Sequence, residues 1–170
     1  MSMRLFTLAA LVAAAPALAQ DVTPALRRVL SAIDSPPSKA QLVEAGGKDP
    51  AAALRALAAD GRQALWLRRA ALSALGHFDG LETRTALGRL ARDADPTVRK
   101  GAVETLGFLT KGTDVALRGA LADEVPMVRR SAARALWRAG DAMAREALAR
   151  RLEVEDDGET RAVLAQALGR

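Results

Sequence analysis

The single histidine, His77, lies in the turn Gly76-His77-Phe78-Asp79-Gly80, and the chain has no cysteine. Acid–base or nucleophilic catalysis needs a second group to orient the first or to take its proton. No other imidazole and no thiol exists to do so, so a lone turn histidine reads as solvated or locally hydrogen-bonded. His77 and Asp79 lack further ligands at metal-site spacing, and Glu155-Asp156-Asp157-Gly158-Glu159 does not reproduce the ligand order of a calcium loop. That acidic run suits the positive end of a helix. No Gly-rich phosphate cradle follows a strand-like segment. No catalytic, cofactor or metal residue is assigned, and the expectation is a protein that is not an enzyme.

Cations are better supplied than catalytic groups. Arg130, Arg134 and Arg138 recur at i, i+4 and i+8, which places them on one helix face. Like charges so spaced disfavour an isolated helix by about 0.2–0.5 kcal/mol per pair. An acidic ligand would offset that cost, although a charged row can also be a solvated surface.

These residues belong to a unit written four times. Arg68, Arg99, Arg129 and Arg161 anchor the copies at intervals of 31, 30 and 32 residues, each followed by apolar residues three and four apart. A period of this size marks stacked helical hairpins. A second amphipathic segment precedes each copy: Ala51 to Ala59, Leu81 to Arg92, Asp114 to Ala122 and Ala142 to Leu152. Acidic residues between the two suit helix caps, and Pro96 and Pro126 suit first turns. Gly76, Gly80, Gly107, Gly112, Gly140 and Gly158 fall where helices are expected to stop. Upstream, Pro24 to Ile33 and Ser38 to Ala45 form a pair of helices, the second a weakened copy of the Arg-bearing pattern. The expected architecture is all-α, a right-handed α-solenoid of about five antiparallel hairpins: a capping hairpin over 20–49 and four repeats over 50–170. Terminal repeats are atypical because one face meets water.

Arg4, the apolar run Leu5 to Ala15, Pro16 and the triplet Ala17-Leu18-Ala19 have the form of a secretory signal over residues 1–19. The run is shorter than the about 20 residues of a membrane span, so no span is expected after cleavage; retention as an anchor is the alternative. Losing Arg4 and no acid lowers the formal charge from +5 to +4, a mildly basic balance rather than a polycation. Aromatic residues are 3% and tyrosine is absent, so alanine and leucine must fill the core. The Ala/Arg/Leu/Gly bias is associated with GC-rich bacteria, and with the signal it suggests a periplasmic or secreted protein.

Asp95-Pro96-Thr97-Val98-Arg99, then Ala102 and Leu106-Gly107, resembles the HEAT repeat, in particular the short variety of phycobilisome-lyase HEAT-like proteins. The likeness is best over Leu81 to Leu109 and Leu117 to Asp141. It implies a structural ladder of Arg68, Arg99, Arg129 and Arg161 with turn acids such as Asp95 and Asp123. It also implies that the Arg-bearing B helices line the concave side of the stack. Aligned copies then place Arg69, Lys100 and Arg130 in one row across the groove, and Ser73, Glu104 and Arg134 in the next. Trp137 stands where other copies have Gly76, Gly107 and Gly169. It either fills a gap between hairpins or lies exposed beside Arg134 and Arg138; the burial habit of tryptophan favours packing, as it does for Trp66.

Candidate partner-binding residues are therefore Arg69, Lys100, Arg130, Arg134, Trp137 and Arg138. The expected function is a scaffold or adaptor of the cell envelope whose concave face holds an acidic protein partner. The alternative is a structural accessory assembling through its convex face or hairpin ends, where Leu164 and Leu168 are the apolar positions. Lyase and nucleic-acid enzymes are more remote analogies. Export, modest charge and few groove aromatics argue against nucleic acid as the ligand.

Overall fold

The structure, a computed structural model, describes residues 24–32, 36–110, 112 and 114–169. The segment 1–19 read as a signal lies outside them. Ten helices and no strand occur among the described residues. They are α1 (Pro24–Leu30), α2 (Lys39–Ala45), α3 (Pro50–Ala59), α4 (Leu65–Leu75), α5 (Leu81–Leu90), α6 (Pro96–Leu109), α7 (Val115–Ala120), α8 (Pro126–Ala139), α9 (Ala142–Val154) and α10 (Gly158–Ala167). Consecutive helices pair as hairpins, and α4, α6, α8 and α10 pack successively into one layer. This is the expected helical solenoid of HEAT-like hairpins.

Local chemistry sets the helix starts. Asp49, Asp95, Asp114, Asp141 and Asp157 are N-caps whose carboxylates accept first-turn N–H groups, and Ser38 forms a reciprocal capping box with Gln41. Pro50, Pro96 and Pro126 occupy first helical positions, where a missing N–H costs nothing. Between the layers, leucines such as Leu54, Leu72, Leu87, Leu106 and Leu136 are fully buried among small alanines. The small side chains let short helices approach closely.

The glycines divide by role. Gly140 has φ 67° and closes α8 in a left-handed cap, a conformation that suits glycine. Gly107 and Gly158 do not stop helices: the first is buried within α6 and the second begins α10. At Gly107 a Cβ would stand 2.4 Å from the Cβ of Ala135, so its missing side chain lets α6 and α8 meet.

The first hairpin is turned over relative to the rest. Here α1 packs on α4, while α2 meets α3; the Lys39–Gly46 segment is thus not a B helix. Leu26, Val29 and Leu30 at i, i+3 and i+4 give α1 an apolar stripe for the core, whereas α2 buries only Leu42 and Ala45. Leu164 is fully buried, which removes it from the role of a free end-on contact, whereas Leu168 is only partly buried where it packs against the core.

The repeated arginines bind the turns together. Arg99 donates from Nη1 to the carbonyls of Asp93 and Ala94 in its own A–B turn, and from Nε and Nη2 to Asp123 of the next, at 2.7 and 2.9 Å. Arg129 repeats this with Asp123 and Glu124 carbonyls and the Glu155 carboxylate. Arg68 pairs with Asp93 at 2.6 Å, so its partner is Asp93 and not Asp95, which is occupied in capping α6. Each pairing acid also accepts the backbone N–H two residues later: Asp93 from Asp95, Asp123 from Val125, Glu155 from Asp157. Arg161 holds the carbonyls of Leu152 and Glu155, and no carboxylate pairs with it among the described residues.

Glu155 is the most enclosed of these acids, with a side-chain exposure of 0%. Burial alone would raise its pKa, but hydrogen bonds from Arg129, Arg151 and the Asp157 N–H outweigh it and hold the carboxyl well below the ordinary 4.5. Asp123 is lowered in the same way, Arg99 outweighing burial. A depressed folded-state pKa adds stability above the unfolded value and loses it as pH falls toward the folded one. Glu155→Gln should cost about 3 kcal/mol in urea unfolding at neutral pH, because it leaves buried Arg129 with only the exposed, more distant Asp156 as counter-charge. The variant should also lose less stability than the wild type between about pH 5 and pH 3. Gly107→Ala should cost about 1–3 kcal/mol by forcing α6 and α8 apart, measured by the same unfolding.

Candidate functional site

The layer of Arg-bearing helices presents one outward face, and it sorts the predicted cations into two kinds. Lys100 is half-buried and donates to Glu104 four residues on at 2.9 Å, while Glu104 also accepts from Ser131 Oγ of α8 at 3.0 Å. Arg130 pairs with Asp157 at 2.9 Å and Glu159 at 3.1 Å. These two positions are charge-balanced within the protein. Arg69 and Arg134 are exposed with no acidic partner among the described residues. Arg138 is exposed as well, with its guanidinium 4.4 Å from the centroid of Phe108, a cation–π contact that joins the ends of α6 and α8.

Trp137 is 53% exposed rather than packed. The helices explain why: α8 runs from Arg129 on to Ala139, whereas α10 runs from Arg161 only to Ala167. The last turn of α8 therefore extends past its neighbour. Trp66 is likewise 53% exposed and Phe108 72%, so the expectation of core packing for Trp66 does not hold. Its place at the very start of α4, before the first buried position Leu67, leaves the ring at the rim.

Between α4 and α6 lies a groove of about 700 Å³. Trp66 and Phe108 stand at its ends, Ala70, Gly101 and Thr105 line its floor, and Arg69, Lys100 and Glu104 line its walls. His77 also borders it, without a second histidine to work with. Trp66 and Phe108 were missed as site residues although the spacing held the signal. Trp66 precedes Arg69 by three residues, and Phe108 follows Glu104 by four and Lys100 by eight, all one-face intervals. Among the described residues, Trp66 and Phe108 line this groove and Trp137 is exposed near Arg134 and Arg138, while Phe78 packs against the core; the expectation of a groove poor in aromatics is overturned.

No curated protein matches this chain. Residues 62–118, from the turn before α4 into α7, match the family of HEAT repeats. Over these residues the chain is similar to HEAT repeats, and the hairpins they form stack as the structure describes.

Proposed function

We propose that the protein is a non-enzymatic scaffold or adaptor of the bacterial cell envelope, built of the short HEAT-like repeats found in phycobilisome-lyase relatives. Its B-helix face, the concave side in such stacks, holds an acidic segment of a protein partner. The observation that carries this reading is the set of exposed, acid-free Arg69, Arg134 and Arg138 beside exposed Trp66, Phe108 and Trp137. Tryptophan and arginine dominate the energetic anchors of protein interfaces, and HEAT repeats commonly mediate protein–protein contacts. Envelope residence rests on the signal-like residues 1–19 and the composition. Among the described residues no helix is long and apolar enough to cross a membrane.

One observation favours a second reading, assembly through the opposite layer. Leu81 is 83% exposed at the start of α5, beside a groove of about 570 Å³ that includes Ala56, Ala86 and Leu90. A structural accessory subunit would use such a face.

Affinity capture from a cell-envelope extract, using the full tagged chain and an Arg69→Glu/Arg134→Glu/Arg138→Glu variant with an unchanged circular-dichroism melt, separates the two. The expected result is an acidic partner depleted about tenfold or more by the variant. An unchanged partner list overturns the groove reading, and loss on Leu81→Ser instead selects the opposite layer. Intact-mass analysis of the periplasmic fraction should find a chain beginning at Gln20; full-length chain in the membrane fraction selects the retained anchor, and full-length chain in the cytoplasmic fraction overturns the export assignment.

A further inference from the structure

The cations of the groove face divide by position into paired and uncompensated ones. Its middle is self-neutralised: Glu104 holds Lys100 and is itself fixed to Ser131 of the next helix; on α8, one turn before Arg134, Arg130 is occupied by Asp157 and Glu159. Uncompensated cations remain on α4, at Arg69, and on α8, at Arg134 and Arg138. Neighbouring helices of a packed layer lie about 8–10 Å apart, so the two cationic ends are separated by roughly 20 Å, about six residues of extended chain. Between them lies the small-residue floor of the α4–α6 groove, with the Trp66 and Phe108 rings at its ends.

Resting on the proposed groove function, we infer that the ligand is a linear peptide segment of bipartite form: two acidic positions about six residues apart bracketing an uncharged stretch with one aromatic or aliphatic anchor. The anchor seats on the floor at Ala70 and Gly101, with the Trp66 and Phe108 rings at the two ends of the groove. One acid meets Arg69, and the other meets Arg134 and Arg138, the latter already held against Phe108. Glu104 is a specificity-determining residue. A carboxylate brought to the centre of the groove meets it at close range, and so does any phosphate of a continuous polyanion. The arrangement thus favours an acidic peptide over a nucleic acid despite the exposed rings.

The test is selection of a random 12-residue peptide display library on the full chain, with parallel selections on the Arg69→Glu/Arg134→Glu/Arg138→Glu variant and on Trp66→Ala/Phe108→Ala. Both aromatic sites are largely exposed, and far-UV melts verify that the variants fold. Enriched peptides are expected to carry the acid–anchor–acid pattern and to be lost on both variants. In the Trp137→Phe background, the emission of Trp66 should shift to the blue on titration with a selected peptide. Glu104→Gln should bind a poly-glutamate peptide about tenfold more tightly than the wild type.

Enrichment of acidic peptides without an anchor, lost only on the arginine variant, overturns the bipartite inference and leaves the acidic-groove function standing. No enrichment, enrichment unaffected by either variant, or tighter binding of a 20-nucleotide single strand than of any selected peptide overturns the inference outright.

Discussion

Each ladder guanidinium that has an onward carboxylate, those of Arg68, Arg99 and Arg129, fixes two turns at once. Its donors are divided between backbone carbonyls at the end of its own A helix or in the turn that follows, and a carboxylate of the following turn. That carboxylate in turn accepts the backbone N–H two residues ahead, just before the next B helix begins. The position and direction of each B helix are therefore set by the one before it. Burying a guanidinium is costly unless its donors are satisfied, and in Arg99 and Arg129 the carbonyls and carboxylates satisfy them together. The ladder residues are structural for this reason, and their outward-facing neighbours are left to meet a partner.

Placement follows from that coupling. Arg69, Lys100 and Arg130 each follow a ladder arginine, and repeating the ladder geometry repeats their row. The differences between copies then create the site. Glu104 in place of Ser73 cancels charge at the centre of the groove, and Asp157 and Glu159 cancel that of Arg130 on α8. Gly101 and Ala70 lower its floor, and the early end of α10 leaves Trp137 half in solvent. A uniform solenoid of these repeats would carry a continuous basic stripe; this one carries separated charges and rings.

Much of the fold is legible in the sequence because the 30 to 32-residue spacing of the arginines and the apolar periodicity within each copy are both local signals. Asp93 and Asp95 show where legibility stops. Both are acids in the same turn, and the one adjoining Pro96 looks the better partner; only the geometry assigns Asp95 to the cap and Asp93 to Arg68. The first hairpin fails for a similar reason, since a weak copy of the B pattern in α2 says nothing of whether α1 or α2 faces α4. Trp66 and Trp137 were read from the average burial of tryptophan, which cannot register where a helix begins or where its neighbour ends. Phe108 and Trp66 lie on the face of the charged row by helical spacing, so that part of the site is present in the sequence, although the burial habit of tryptophan points Trp66 the other way.

The absence of a carboxylate beyond Arg161 among the described residues has a consequence for how the molecule opens. Rungs join only adjacent units, so the solenoid behaves as a series of linked elements rather than one body, each unit's resistance to opening coming from itself and its two neighbours. The last described unit is tied on one side by Glu155, clasped by Arg129 and Arg151, and its own Arg161 meets no carboxylate among the described residues. Fraying there need not travel inward past that clasp. A peptide lying across α4, α6 and α8 would do the opposite, spanning three elements in series and making their separate openings a single cooperative event.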